Sequence, residues 1–78
     1  MSIEVGDVVE GKVTGITKFG AFIELPDGKV GLVHISELAQ RHVDLPEQVV
    51  KVGEDVFVKV IDIDLERRRI SLSLKQAN

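Results

Sequence analysis

Apolar residues in this chain come in short runs of Val, Ile and Leu that alternate with polar positions and are closed off by Gly, Pro or Asp. A period of two predicts strands rather than helices. The first run, from about Val8 to Thr17, puts Val9, Gly11, Val13 and Gly15 on one face and Glu10, Lys12 and Thr14 on the other. The second, Ala21 to Leu25, turns Ala21, Ile23 and Leu25 one way and Phe22 and Glu24 the other. Pro26-Asp27-Gly28 follows as a turn, with Pro presetting φ, Asp capping locally and Gly accepting positive φ. It leads to a third strand from Lys29 to His34. Gly53 opens a fourth strand from about Val56 to Ile63. The fifth covers Ile70 to Leu74, with Ile70, Leu72 and Leu74 inward and Ser71 and Ser73 outward. Asp64 to Arg68 forms the hairpin loop between these last two.

From Ile35 to Asp55 the alternation stops. Ser36 is suited to cap a short helical turn through Leu38 and Ala39, and Asp44 and Glu47 have capping-box spacing with Pro46 in the first turn. One or two short helical turns are expected here. An all-β chain with five strands and a short helical connection between strands 3 and 4 has the layout of a five-stranded antiparallel OB-fold Greek-key barrel, which closes its sheet and hides its edges. Periodicity alone leaves an SH3-like barrel open; the order of strands and helix favours the OB type. Gly11 and Gly15 provide the sharp strand bending that a small closed barrel requires. Val5-Gly6-Asp7-Val8 and Val52-Gly53-Glu54-Asp55-Val56 echo each other, but as tight turns feeding strands rather than as a repeat. A single domain over residues 1–78 is expected, with an ordered core of about 5–75 and loose ends at Met1 to Glu4 and Gln76 to Asn78.

Size and charge narrow the possibilities. With 78 residues and no Cys, the fold rests on apolar packing and backbone pairing, without disulfides or a thiolate metal site. No apolar run approaches the roughly 18 residues that would span a bilayer, so the chain reads as soluble, and the absence of Cys fits a reducing cytoplasm; a monomer is expected. A net charge of −3 argues against attraction of nucleic acid over the whole surface and confines any such binding to a local patch. No cofactor or metal is expected, because His42, Asp44 and Glu37 match no ligand spacing. Nor is an enzyme: Ser36, His34 and Asp64 lie on two strand ends and a distant hairpin, which supply no obvious triad.

Phe19, Phe22 and Phe57 are the three aromatic rings in the chain. Phe22 falls on the outward parity of its strand, and Phe19 precedes Gly20 at the junction of the first two strands. Positions three apart point to opposite faces of a regular strand, so these rings share a surface only if Gly20 permits a turn or bulge. Two exposed rings on one face make a stacking platform for bases; plugging a barrel end is the competing reading for each. Phe57 is expected to be structural. His34 ends the third strand within reach of Phe22, able to stack or to donate to phosphate, and otherwise reads as a surface histidine. Arg67, Arg68 and Arg69 concentrate positive charge at the last hairpin, although such a run is commonly a solvated loop. Asp64 either caps that turn, holds an arginine or accepts from a base edge. Lys12 and Lys18, with Arg67, are candidate additional phosphate contacts.

The segments Phe19-Gly20-Ala21-Phe22-Ile23, Gly31-Leu32-Val33-His34-Ile35-Ser36-Glu37-Leu38 and Arg69-Ile70-Ser71-Leu72-Ser73 resemble, in order and in separation, the hallmark motifs of the S1 RNA-binding domain family. The resemblance runs from about Val5 to Lys75. It implies binding of single-stranded RNA on one barrel face through Phe19, Phe22, His34, Asp64 and Arg68, and it joins Asp64 and Arg68 to the rings where strand parity alone does not. The implied partners are mRNA-like single strands and, through a parent protein, the ribosome or RNA-processing machinery. The family's ribosomal copies act in tandem and gain avidity by being linked. The expected function is therefore a non-enzymatic RNA-binding module of low sequence specificity. A protein-docking module, whose acidic surface of Glu4, Asp7, Glu54 and Asp55 meets a basic partner, is the alternative.

Overall fold

The computed structural model describes residues 2–78. Five strands appear where the alternation predicts them: β1 (Val8–Thr17), β2 (Gly20–Glu24), β3 (Val30–His34), β4 (Asp55–Asp64) and β5 (Arg69–Ser73). They close into a barrel in the order β1-β2-β3-β5-β4. Four of the pairings are antiparallel; the barrel is closed by a parallel contact of β3 with β5, confined to Leu32 with Ser71 and Val33 with Leu72. This is the all-β, five-stranded OB layout, with 3-10 turns at Ile35–Glu37 and Pro46–Gln48 in the connection from β3 to β4. No helix among the described residues is long and apolar enough to cross a membrane.

The core is built from the inward positions of every strand. Val13, Ala21, Ile23, Val33, Val58, Val60 and Leu72 are buried, and Leu25, Leu38, Val43 and Val50 close the ends. Each such aliphatic side chain contributes about 1.5–3 kcal/mol on burial. Gly11 and Gly31 are needed for closeness of packing rather than for backbone freedom: a Cβ at Gly11 would run into Ile23 and the Glu24 carbonyl, and one at Gly31 into Leu72.

Two bulges break the simple alternation. In β1 the register with β2 shifts between Val13 and Gly15, so Gly15 leaves the apolar face expected for it and turns outward, paired with Phe22. Ile16 then points inward opposite Ala21. In β4 the register with β5 shifts between Val60 and Asp62, which sends Asp62 and Asp64 outward and Ile63 inward.

Three local expectations are corrected. Ser36 does not cap the first 3-10 turn: His34 does, its Nδ1 accepting from the Ser36 amide at 3.2 Å. In the second, Gln48 rather than Glu47 reaches back, its Oε1 accepting from the amides of Asp44 and Leu45 at 3.1 and 3.2 Å. Ser73 has outward parity but is 0% exposed, because Glu37 and Gln76 cover it. The end of the chain is likewise tied down, with Leu74 and Lys75 amides donating to the Glu37 carbonyl and the Asn78 side chain donating to the Leu74 carbonyl. At the other end Ile3 packs partly against the core; the loose end expected from Met1 lies outside the described residues at that one position.

Candidate nucleic-acid interface

Strand register places Phe22, His34 and Asp64 on one outer surface. Phe22 pairs with Leu32, Leu32 with Ser71, and Ser71 with Asp62, giving one outward row across β2, β3, β5 and β4. A second row holds Glu24 and its partner Val30 on one side and Arg69 and its partner Asp64 on the other. His34, opposite Gly20, stands above the first row. Phe22 and His34 are thus diagonal neighbours on the same face, about 7–8 Å apart at their backbones and within reach of each other's rings.

Phe22 is 39% exposed and Phe19 61%. The Phe22 ring lies over Gly15, where an added Cβ would sit 3.7 Å from it, so the β1 bulge supplies the flat floor beneath this ring. Phe19 sits in the turn between β1 and β2. Thr17 Oγ1 accepts from its amide at 3.1 Å, and its carbonyl accepts from the Ile35 amide at 2.7 Å, which fastens the turn beside His34. Gly20 makes the approach possible: a Cβ there would collide with the Val33 carbonyl. Lys18 places its Nζ 5.2 Å from the centre of the Phe19 ring, a cation–π distance.

Since His34 Nδ1 accepts from the Ser36 amide and lies 2.9 Å from Ser36 Oγ, the neutral ring carries its proton on Nε2. That N–H is a donor turned away from the cap. Behind it Glu37 is fixed by Ser73 Oγ at 2.6 Å and Gln76 Nε2 at 3.1 Å. The Ser73 hydroxyl holds the Glu37 carboxyl below its ordinary 4.5; partial desolvation opposes this, while Gln76, the Lys75 charge and a protonated His34 add to it.

In the β4–β5 hairpin Asp64 is engaged by Arg67 rather than Arg68: its Oδ1 accepts from the Arg67 amide at 3.1 Å and its Oδ2 lies 3.3 Å from Arg67 Nη1. The hairpin thereby leaves Arg68 and Arg69 without an ion-pair partner among the described residues. Arg68 has φ 53°, a left-handed conformation that costs a non-glycine residue about 1–2 kcal/mol.

Not every candidate joins this surface. Lys12 is ion-paired with Asp55 at 3.7 Å and faces Glu24 across β1 and β2, so carboxylates balance its charge locally. Arg67 is occupied by Asp64. Phe57, expected to be structural, is instead 55% exposed, on the outward parity of β4 opposite Glu10 and away from the other rings. Val56, Val58 and Val60 fill the interior on its strand, so the core has no place for it. Residue-by-residue reading passed over Leu32, Val30 and Lys29, although Leu32 and Val30 share the parity of His34 and were findable by that signal.

A small OB barrel with Phe22, His34, Asp64 and Arg69 on one outer face and a second exposed ring in the adjoining turn has the build of a nucleic-acid-binding barrel. The model of the S1 RNA binding domain matches residues 2–75, and the chain belongs to that family. It is 69% identical over 74 residues to small ribosomal subunit protein bS1 of Mycobacterium tuberculosis, covering 95% of this chain and 15% of that protein. It is 57% identical over 75 residues to polyribonucleotide nucleotidyltransferase of Halothermothrix orenii, covering 96% of this chain but 10% of that one. A chain in the crystal structure of an a/eIF2alpha–aDim2p–rRNA complex from Pyrococcus horikoshii superposes with a TM-score of 0.92 at 36% identity, over 100% of this chain and 48% of that chain. The chain thus spans about a sixth or less of the curated relatives named here, and it matches the nucleotidyltransferase through this domain alone.

Proposed function

We propose that the chain is a single-stranded RNA-binding module in which bases stack on Phe19 and Phe22 while His34 Nε2–H and the Arg68 guanidinium contact phosphate. The observation that carries this reading is the exposed Phe22 ring on the same barrel face as His34, with Phe19 exposed in the turn whose carbonyl accepts from the Ile35 amide next to His34. Stacking is worth about 1–3 kcal/mol per base and is indifferent to base identity, so specificity is low. Asp64 holds the hairpin in shape through Arg67 and keeps Arg68 free. The likeness to bS1 supports a place in a protein of the small ribosomal subunit, acting as a monomeric module on mRNA-like strands in the cytoplasm, without catalysis of its own.

Titration of a short labelled single-stranded RNA by anisotropy tests this reading. Two stacked bases less the cost of ordering the strand give a dissociation constant of about 10–100 μM. Phe22→Ala weakens it by about 1–3 kcal/mol; an unchanged constant removes Phe22 from the site.

A protein-docking role draws on a different face, where exposed Phe57 and Val8 stand among Glu10 and Asp55 on β1 and β4. That face lies away from Phe22 and His34, so Phe57→Ala leaves RNA affinity intact. A loss of affinity in that variant would move the RNA site to the β1–β4 side.

A further inference from the structure

The echo between Val5-Gly6-Asp7-Val8 and Val52-Gly53-Glu54-Asp55-Val56 becomes a symmetry in the barrel. β1 and β4 pair antiparallel with Glu10 opposite Phe57, and a local two-fold through that pair carries Val8 onto Asp55 and Lys12 onto Lys59. The turns that precede the two strands obey it. Gly6, at φ 97°, donates to the Val60 carbonyl while the Val60 amide donates to Asp7; Gly53, at φ 93°, donates to the Val13 carbonyl while the Val13 amide donates to Glu54. The side chains follow, with Asp7 Oδ2 accepting from the Glu4 amide at 2.9 Å and Glu54 Oε1 from the Lys51 amide at 3.0 Å. Each turn is thus locked onto the end of the other strand and carries one fixed carboxylate.

The surface around this axis differs in kind from the face of Phe22. It follows the seam between β1 and β4, which in strand order is the part of the barrel farthest from β3. Phe57 stands at its centre, with exposed Val8 diagonal to it and exposed Val5 and Val52 in the two turns. Residues 4–12 and 51–59 carry five carboxylates and three lysines, so most of the chain's net charge of −3 resides here. Lys12 is moreover already paired with Asp55. From Asp7 to Val13, where Glu54 is anchored, an extended chain runs about 20 Å.

We infer that this seam docks a basic polypeptide segment of about seven extended residues, its cationic ends meeting Asp7 and Glu54 and its apolar middle lying against Phe57. The inference gives the second reading above a partner of stated chemistry, and it does not depend on RNA binding elsewhere on the barrel. An exposed ring at the centre with charges at the rim is the layout of a protein interface, in which the ring supplies most of the affinity and the charges fix register. The sign of the rim selects the partner. A second copy of the chain brings the same negative excess to the contact and is repelled, whereas a basic segment is drawn in.

The test follows backbone amide shifts of the intact chain during titration with the capped peptide Arg-Ser-Leu-Leu-Leu-Ser-Arg. The expected shifts centre on Val8, Glu10 and Phe57. Phe57→Thr, which keeps a residue suited to a strand, weakens binding about tenfold, as loss of an aromatic anchor should. Asp7→Asn combined with Glu54→Gln keeps the turn hydrogen bonds, removes the charge and weakens binding about fivefold. Amides elsewhere in each spectrum report that the variants fold. A peptide with Glu in place of both Arg does not bind. Absence of binding, equal binding of the acidic peptide, shifts centred on Phe22 and His34, or variants as tight as the native chain each overturn the inference. So do shifts of the seam amides that follow protein concentration alone and vanish in Phe57→Thr, because they assign the seam to a second copy. A chain that binds the peptide but no RNA removes the RNA reading and leaves this one standing.

Discussion

At the scale of single residues, Arg68 separates what the hairpin needs from what a ligand needs. Its φ of 53° is one glycine adopts freely, so Arg68→Gly relieves strain and is expected to raise stability by up to about 1 kcal/mol, less the glycine's greater freedom when unfolded. RNA affinity falls in the same variant. Chemical denaturation and RNA titration measured side by side check this; a destabilised Arg68→Gly would mean that the guanidinium holds the fold. The phenylalanines make the complementary point. Phe22 was legible from strand parity, and Phe19 from the glycine that follows it. Phe57 also lies on outward parity, between buried Val56 and Val58, so parity pointed to the exposure that the structural expectation for this ring missed. Valines and isoleucines fill this interior, so no ring is needed there.

At the scale of elements, the site is assembled by bulges and buckles that the alternation does not announce. Counting by twos from Val56 places Asp64 inside; the irregularity between Val60 and Asp62 puts it outside, next to Arg69. Likewise the shift between Val13 and Gly15 brings a glycine under the Phe22 ring. A bulge is one extra residue with no compulsory sequence signal, which is why only the family resemblance joined Asp64 and Arg68 to the rings. The buckle is Glu37, which clamps the end of β5 behind His34. Ser73→Ala removes a hydrogen bond to an ionised group and is expected to cost about 1–3 kcal/mol in denaturation measurements. The same clamp has a pH signature. Because Glu37 is held below its ordinary 4.5 in the folded chain, its contribution is complete above that value and fades as pH falls through the lowered one. Glu37→Gln therefore flattens stability against pH on the acid side, and a profile as steep as the native one would assign the acid sensitivity to another carboxylate.

At the scale of the whole molecule, a chain with 13 acidic and 10 basic residues must bind a polyanion by arrangement rather than by net charge. Lys12 illustrates how the arrangement works: beside Asp55 and Glu24 its charge is cancelled within its own neighbourhood, whereas Arg68 and Arg69 face solvent unpaired. On the proposed reading, binding is governed by the few phosphates that reach the hairpin. Each neutralised phosphate on a single strand contributes about −0.7 to the slope of log affinity against log salt, so a module with two or three such contacts has a slope of about −1.5 to −2, and Arg68→Gln reduces its magnitude by about 0.7. Neutralising Glu47, in the connection between β3 and β4, tests the other side of the argument. At physiological ionic strength the screening length is about 8 Å, so Glu47→Gln leaves slope and affinity alone. If it strengthens binding as much as Arg68→Gln weakens it, the overall field and not the local face draws the strand in.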